Sequence, residues 1–142
     1  MTRIASAVTA AAGLGISGYL TAVHYTGGTP VCAVSHGCAT VQQSDYAELA
    51  GVPVALLGVL GYAAILLTLA ADGERARTAT AFLALTGAGF SAWLTYVELA
   101  ELQAICSWCV ASAVCMAALA ILSVARALKP CNPTEQRTQS PA

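Results

Sequence analysis

The chain has 142 residues, 58% of them hydrophobic and only 9% charged, with a formal net charge of −1. That charged share is roughly a third of the usual ~25% of a soluble domain, so in water a single domain of this size would expose much of its apolar surface. Near-neutral charge with few, scattered basic residues argues against a nucleic-acid partner, and a lipid bilayer is the natural solvent for such a chain.

Residues 4–24 are mostly apolar and would make roughly 30 Å of helix, enough for one crossing; Arg3 stands just before them. A cleaved signal peptide shares the positive start and apolar run, but its core is usually only ~7–15 residues. In residues 26–50 Gly27, Gly28 and Pro30 break the helix, and Gln42, Gln43, Ser44, Asp45 and Glu48 mark a loop outside the hydrocarbon. This loop holds Cys32 and Cys38, and residues 44–49 read as a short surface helix with Ser44 as its cap.

The second run, 52–71, opens with Pro53, which a first helical turn tolerates because its missing N–H has no helical partner there. Residues 72–77 form a polar connection. The third run, 79–97, contains Gly87, Gly89, Ser91 and Ala92, which allow close helix approach, and Trp93 and Tyr96 near its end, where interfacial aromatics are common. Residues 98–104 read as a short link, 105–128 as the fourth run, and 129–142, with Pro130, Pro133 and Pro141, as a disordered tail. No internal repeat is visible. The expected fold is an all-α integral membrane four-helix bundle over residues 1–128.

Charge orients this bundle. All six basic residues, Arg3, Arg75, Arg77, Arg126, Lys129 and Arg137, fall at the N-terminus, in the second connection or at the C-terminal end. The positive-inside rule then puts both termini in the cytoplasm and the first and third connections outside. Cys32, Cys38, Cys106 and Cys109 are thereby expected on the oxidising side, Cys131 inside, and Cys115 within the fourth helix as a packing residue.

Cys106 and Cys109 are three positions apart, on one side of a helix, near enough for a disulfide or a shared metal. At the N-terminal end of the fourth helix, unpaired N–H groups and the dipole favour a thiolate, with Cys106 the better placed. Cys109 lies toward the bilayer, where a lipophilic electron acceptor has access. Three uses are open: a redox pair, a structural disulfide, or half of a tetrahedral zinc site shared with Cys32 and Cys38. The oxidising face weighs against zinc. A purely structural bridge between Cys32 and Cys38 would close too short a loop to restrain much of the unfolded chain, which favours a shuttle. His36, between them, is either a tuner of their pKa or a bystander, His24 is interfacial, and Ser44 either caps a helix or hydrogen-bonds a quinone oxygen.

These features together resemble the vitamin K epoxide reductase family, in particular its bacterial members: Cys32 and Cys38, then Ser44, Asp45-Tyr46-Ala47, Gly51-Val52-Pro53, Gly58 and Tyr62, and Cys106-Ser107-Trp108-Cys109. The resemblance implies an inner-membrane, multi-pass thiol oxidoreductase that supports disulfide formation. Electrons would come from a separate thioredoxin-like (DsbA-like) thiol oxidase to Cys32, pass from Cys38 to Cys106, and leave from Cys109 to a quinone of the menaquinone or ubiquinone class. Ser44 would contact that quinone, and no metal is implied. Many bacterial relatives carry a fused thioredoxin-like domain, whereas only a short tail follows Arg126. Relatives that reduce the epoxide have a tyrosine where Ala113 stands, so quinone reduction is the expected activity. The bacterial disulfide-bond B oxidases are similar in topology and chemistry but carry the two cysteine pairs in the reverse order.

Overall fold

Among the described residues five α-helices carry the chain: α1 (Thr2–Thr26), α2 (Gly37–Gln42), α3 (Val54–Ala70), α4 (Glu74–Val97) and α5 (Ser107–Leu128). They are seen in a computed structural model that describes residues 1–32 and 37–129; His36, Cys131 and the expected tail beyond Lys129 lie outside the described residues. α1, α5 and α4 with the turn that follows it are long and apolar enough to cross a membrane. α3 is equally apolar but has 17 residues, which makes about 25 Å of helix.

The four long helices close a ring, α1 packing on α3 and α5 and α4 packing on the same two. The all-α membrane bundle expected from the sequence is what the chain forms. Its centre is the cluster of Ala10, Tyr62, Ile65, Leu69, Ala84, Met116, Leu119 and Ala120, while Leu60, Leu67, Phe82, Val114 and Ile121 point outward. Helices apolar on every side suit a lipid surround. Lipid leaves little hydrophobic drive between helices, so close packing of small residues must supply the contact. Gly13 does this for α1 and α3: a methyl group there would overlap the ring of Tyr62. The Tyr62 hydroxyl in turn donates to Ser112 O at 2.8 Å, joining α3 to α5.

Four local expectations change. Residues 44–49 are not a helix: Asp45–Ala47 makes one 3-10 turn, and Glu48–Leu49 then pairs antiparallel with Val52–Pro53 as β1 and β2. Ala50 at φ 54 and Gly51 at φ 81 supply the two left-handed residues of a tight hairpin, which also takes Val52 and Pro53 out of the second helix. Ser44 occupies the cap position without capping; its hydroxyl donates backwards to Val41 O at 2.7 Å.

The polar connection at 72–77 is shorter than read, because α4 begins at Glu74, an acid in the first turn where the helix end is positive. Arg3 pairs with Asp72 at 2.7 Å and donates to Ala70 O at 3.1 Å, fastening the N-terminus to this turn. The expected link at 98–104 is mostly helical as well: Glu98–Leu102 continues α4 as a π-turn, ended by Gln103 at φ 48. Finally, α5 starts at Ser107, and Cys106 is its N-cap rather than part of the first turn.

Candidate active site

The first loop is held against the start of α5 from both sides. On one side, α2 opens with Gly37, where a methyl group would sit 2.6 Å from Ile105 O and 2.7 Å from Ile105 N. Only glycine lets α2 lie this close to the backbone that leads into Cys106. On the other side, Val31 is bonded twice: its N–H donates to the Tyr19 hydroxyl at 3.2 Å, and its carbonyl accepts from Trp108 Nε1 at 2.8 Å. The rings of Tyr19 and Trp108 pack with centroids 5.2 Å apart. His24 and Glu48, 3.1 Å apart, tie the end of α1 to the hairpin.

Cys32 and Cys38 form a disulfide across this clamped segment, with Cα atoms 6.2 Å apart. Cys38, carried on α2 rather than on a free loop, is 1% exposed, whereas Cys32 is only half-buried. The bridge therefore has an outer and an inner sulfur. Two of the four sulfurs that a shared zinc site would use are already bonded to each other.

Cys106 is fully buried. As the N-cap its backbone is extended, and its Sγ accepts the Cys109 N–H at 3.4 Å. The Cys109 thiol, hydrogen-bonded to Cys106, holds the Cys106 pKa below the ordinary thiol value, and the backbone N–H groups of Cys109 and Trp108 assist against burial and the nearby Glu98. The stabilisation expected of a first-turn cysteine thus comes from the cap position, where the sulfur meets unpaired N–H groups of the helix end. Cys106 and Cys109 are both free thiols, and Cys115, also free, packs against the central cluster.

Glu98 is the site residue that the sequence reading passed over. It is 5% exposed, and its Oε2 accepts the Cys106 N–H at 3.1 Å. The same side chain lines a cleft together with Cys109. In sequence Glu98 looks like the first polar residue of a link. One signal was available: it directly follows an apolar run, eight residues before the C-x-x-C motif, so a helix continuing through it would carry it toward the cysteines.

Beside Cys109 a cleft of about 170 Å³ opens between the four long helices. Its walls are mostly apolar and include Gln42, Tyr62, Phe90, Glu98, Cys109 and Ser112. That apolar character, with a few polar groups, suits a lipophilic molecule that makes a few polar contacts. Ser44 is not among the lining residues; Gln42, two positions earlier, is.

A disulfide with one buried sulfur, set beside a dithiol whose first sulfur is biased toward thiolate, is equipped for thiol–disulfide exchange. Compared with known protein families, residues 4–124 match the model of the Vitamin K epoxide reductase family.

Proposed function

The chain belongs to the vitamin K epoxide reductase family, membrane thiol oxidoreductases, and from that membership we propose that it reoxidises a separate extracytoplasmic thioredoxin-like protein and delivers two electrons to a membrane quinone. The observation that carries this reading is the gathering of all four sulfurs at one end of the bundle, with Cys32 outermost and Cys109 on the wall of an apolar cleft. The distribution of Arg3, Arg75, Arg77, Arg126 and Lys129 supports placing this end outside the cytoplasmic membrane.

The partner's thiolate attacks Cys32, forming a mixed disulfide and releasing Cys38; the partner's second thiol resolves it, leaving the partner oxidised and Cys32 and Cys38 as thiols. Cys38 then attacks Cys106 of an oxidised Cys106–Cys109 bridge and displaces Cys109. Cys32 resolves that mixed disulfide, which regenerates the Cys32–Cys38 bridge and leaves Cys106 and Cys109 reduced. A bound quinone supplies the acceptor for two electrons and two protons.

Phe90 and its apolar neighbours would hold the ring, with the Gln42 amide and the Ser112 hydroxyl as polar contacts. Ser44 is retained as the loop hydroxyl that contacts the quinone; it would do so by releasing Val41 O. Ala113, where the epoxide-reducing relatives carry tyrosine, favours a quinone over an epoxide as substrate.

The test is purified protein supplied with a reduced thioredoxin-like partner and a short-tailed quinone. Quinol should form in step with partner disulfide, and Cys109→Ala should stop it while Cys115→Ala leaves it largely intact. Absence of quinol with the wild-type protein, where a quinone-competent control enzyme produces it, would refute the reading.

A further inference from the structure

We propose that Glu98 is the proton-transfer residue of the inner cysteine pair: its carboxyl takes the thiol proton of Cys109 and passes it into the cleft where the electron acceptor binds. This rests on the quinone reading above and assigns the proton path that such a reaction requires.

Among the described residues, Glu98 is the only charged side chain that is buried. A carboxyl group taken out of water is costly unless its environment uses it. Its own backbone is regular helix, φ −58 and ψ −42, so α4 carries it directly to the site, and the irregular turn follows it. The π-turn Glu98–Leu102 extends α4 by a wider turn, with Ala104 N–H donating to Glu98 O at 3.2 Å and Gln103 in the left-handed region. Such π-turns are rare and recur at functional sites.

Satisfying the Cys106 N–H explains one carboxyl oxygen, at 3.1 Å. An amide side chain would serve that purpose equally well. What an amide could not do is exchange a proton with the Cys109 thiol, and Glu98 lines the cleft together with Cys109. It therefore sits beside the inner pair, bonded to the Cys106 N–H, and shares the wall of the acceptor's cleft with Cys109. The titratable groups against it are the two thiols at the start of α5. Cys38, on the neighbouring α2, is in its disulfide, and Glu101 of the same turn is exposed.

The balance is simple. Oxidation of the inner pair forms the Cys106–Cys109 bond, breaks two S–H bonds and releases two electrons and two protons. Both electrons and both protons end on the quinone, giving quinol. Glu98 accepts the Cys109 proton as that sulfur is oxidised and gives it up again toward the cleft, so it ends the cycle as it began.

Glu98→Gln keeps an acceptor oxygen for Cys106 N–H and removes only the proton exchange. With dithiothreitol as donor and a short-tailed quinone as acceptor, kcat should fall about 100-fold, the range general acid–base groups supply, while the quinone KM stays within about twofold and the partner still reduces the Cys32–Cys38 bridge at its wild-type rate. A second measurement needs no quinone. In infrared difference spectra between the dithiol and disulfide forms of the wild-type inner pair, a carboxyl band should change, and Glu98→Gln should abolish that change. Wild-type turnover with unaltered kcat in Glu98→Gln overturns the proposal, as does a carboxyl spectrum indifferent to the state of the inner pair, a result that stands even if the variant does not fold. Failure of the wild-type protein itself to reduce quinone refutes instead the reading on which the proposal rests.

Discussion

Trp108 Nε1 donates a 2.8 Å hydrogen bond to the carbonyl of Val31, so the residue next to Cys32 is anchored by the residue next to Cys109 across 77 positions of sequence. One side chain of the inner motif thereby sets where the outer pair sits. Tyr19 supports the same peptide from its other face through its hydroxyl and its ring.

Replacing Trp108 by phenylalanine keeps an aromatic ring beside Tyr19 and removes only the donor. A neutral hydrogen bond contributes about 1 kcal/mol net, so transfer between the outer and inner pairs should slow about fivefold while the quinone KM is unchanged. Rapid-quench thiol trapping measures this directly; an unchanged rate would show that the tether does not govern the encounter.

Gly37 offers a harsher test of the same geometry. In Gly37→Val the side chain would meet the Ile105 backbone, and α2 must move away from Cys106. Misplacement of reacting groups by about 1 Å can cost on the order of 100-fold in rate, so exchange between the pairs should nearly stop. Reduction of the Cys32–Cys38 bridge by the partner should survive, because Cys32 is partly accessible. Equal loss of both steps would mean that the variant has unfolded the loop.

The lowered pKa of Cys106 makes a statement about pH. A depressed pKa keeps the thiolate present as pH falls below the ordinary thiol range, and the fraction is lost only on descending through the shifted value. The thiolate absorbance of the reduced protein should therefore begin to rise at lower pH than for an unperturbed cysteine. Because the largest cause is the Cys109 side chain, Cys109→Ala should move this onset upward. A downward move would contradict the assignment.

In the bundle itself, Gly13→Ala should destabilise by about 1–3 kcal/mol through overpacking against Tyr62. Gly18 lies in the same helix with nothing within 4 Å of an added methyl, so Gly18→Ala should be neutral or slightly stabilising, as expected from helix propensity. Unfolding of the two variants in detergent micelles compares them, and similar losses would mean that the α1–α3 contact is not as close as described.

Hydropathy and charge are properties of a chain read one residue at a time, and they were legible. Apolar runs near residues 4–24, 52–71, 79–97 and 105–128 correspond to α1, α3, α4 and α5, because in lipid a backbone must satisfy its own hydrogen bonds and a long apolar run has little choice but helix. The grouping of Cys32 and Cys38 apart from Cys106 and Cys109 was legible for the same reason. The hairpin at Ala50 and Gly51 was not. It depends on two adjacent left-handed residues, one of them alanine, and composition does not announce that.

Nor could spacing show that Glu98 turns inward, that Ser44 bonds to Val41, or that Val31 meets Trp108. The sequence by itself determined a membrane bundle with two cysteine pairs assigned to one side. Only the tertiary structure decided which sulfur of each pair is buried, which carboxyl accompanies them, and which backbone atoms hold the loop in place. Those outcomes depend on contacts between segments far apart in the chain, and on a helix that runs on past its apolar stretch to carry Glu98 inward.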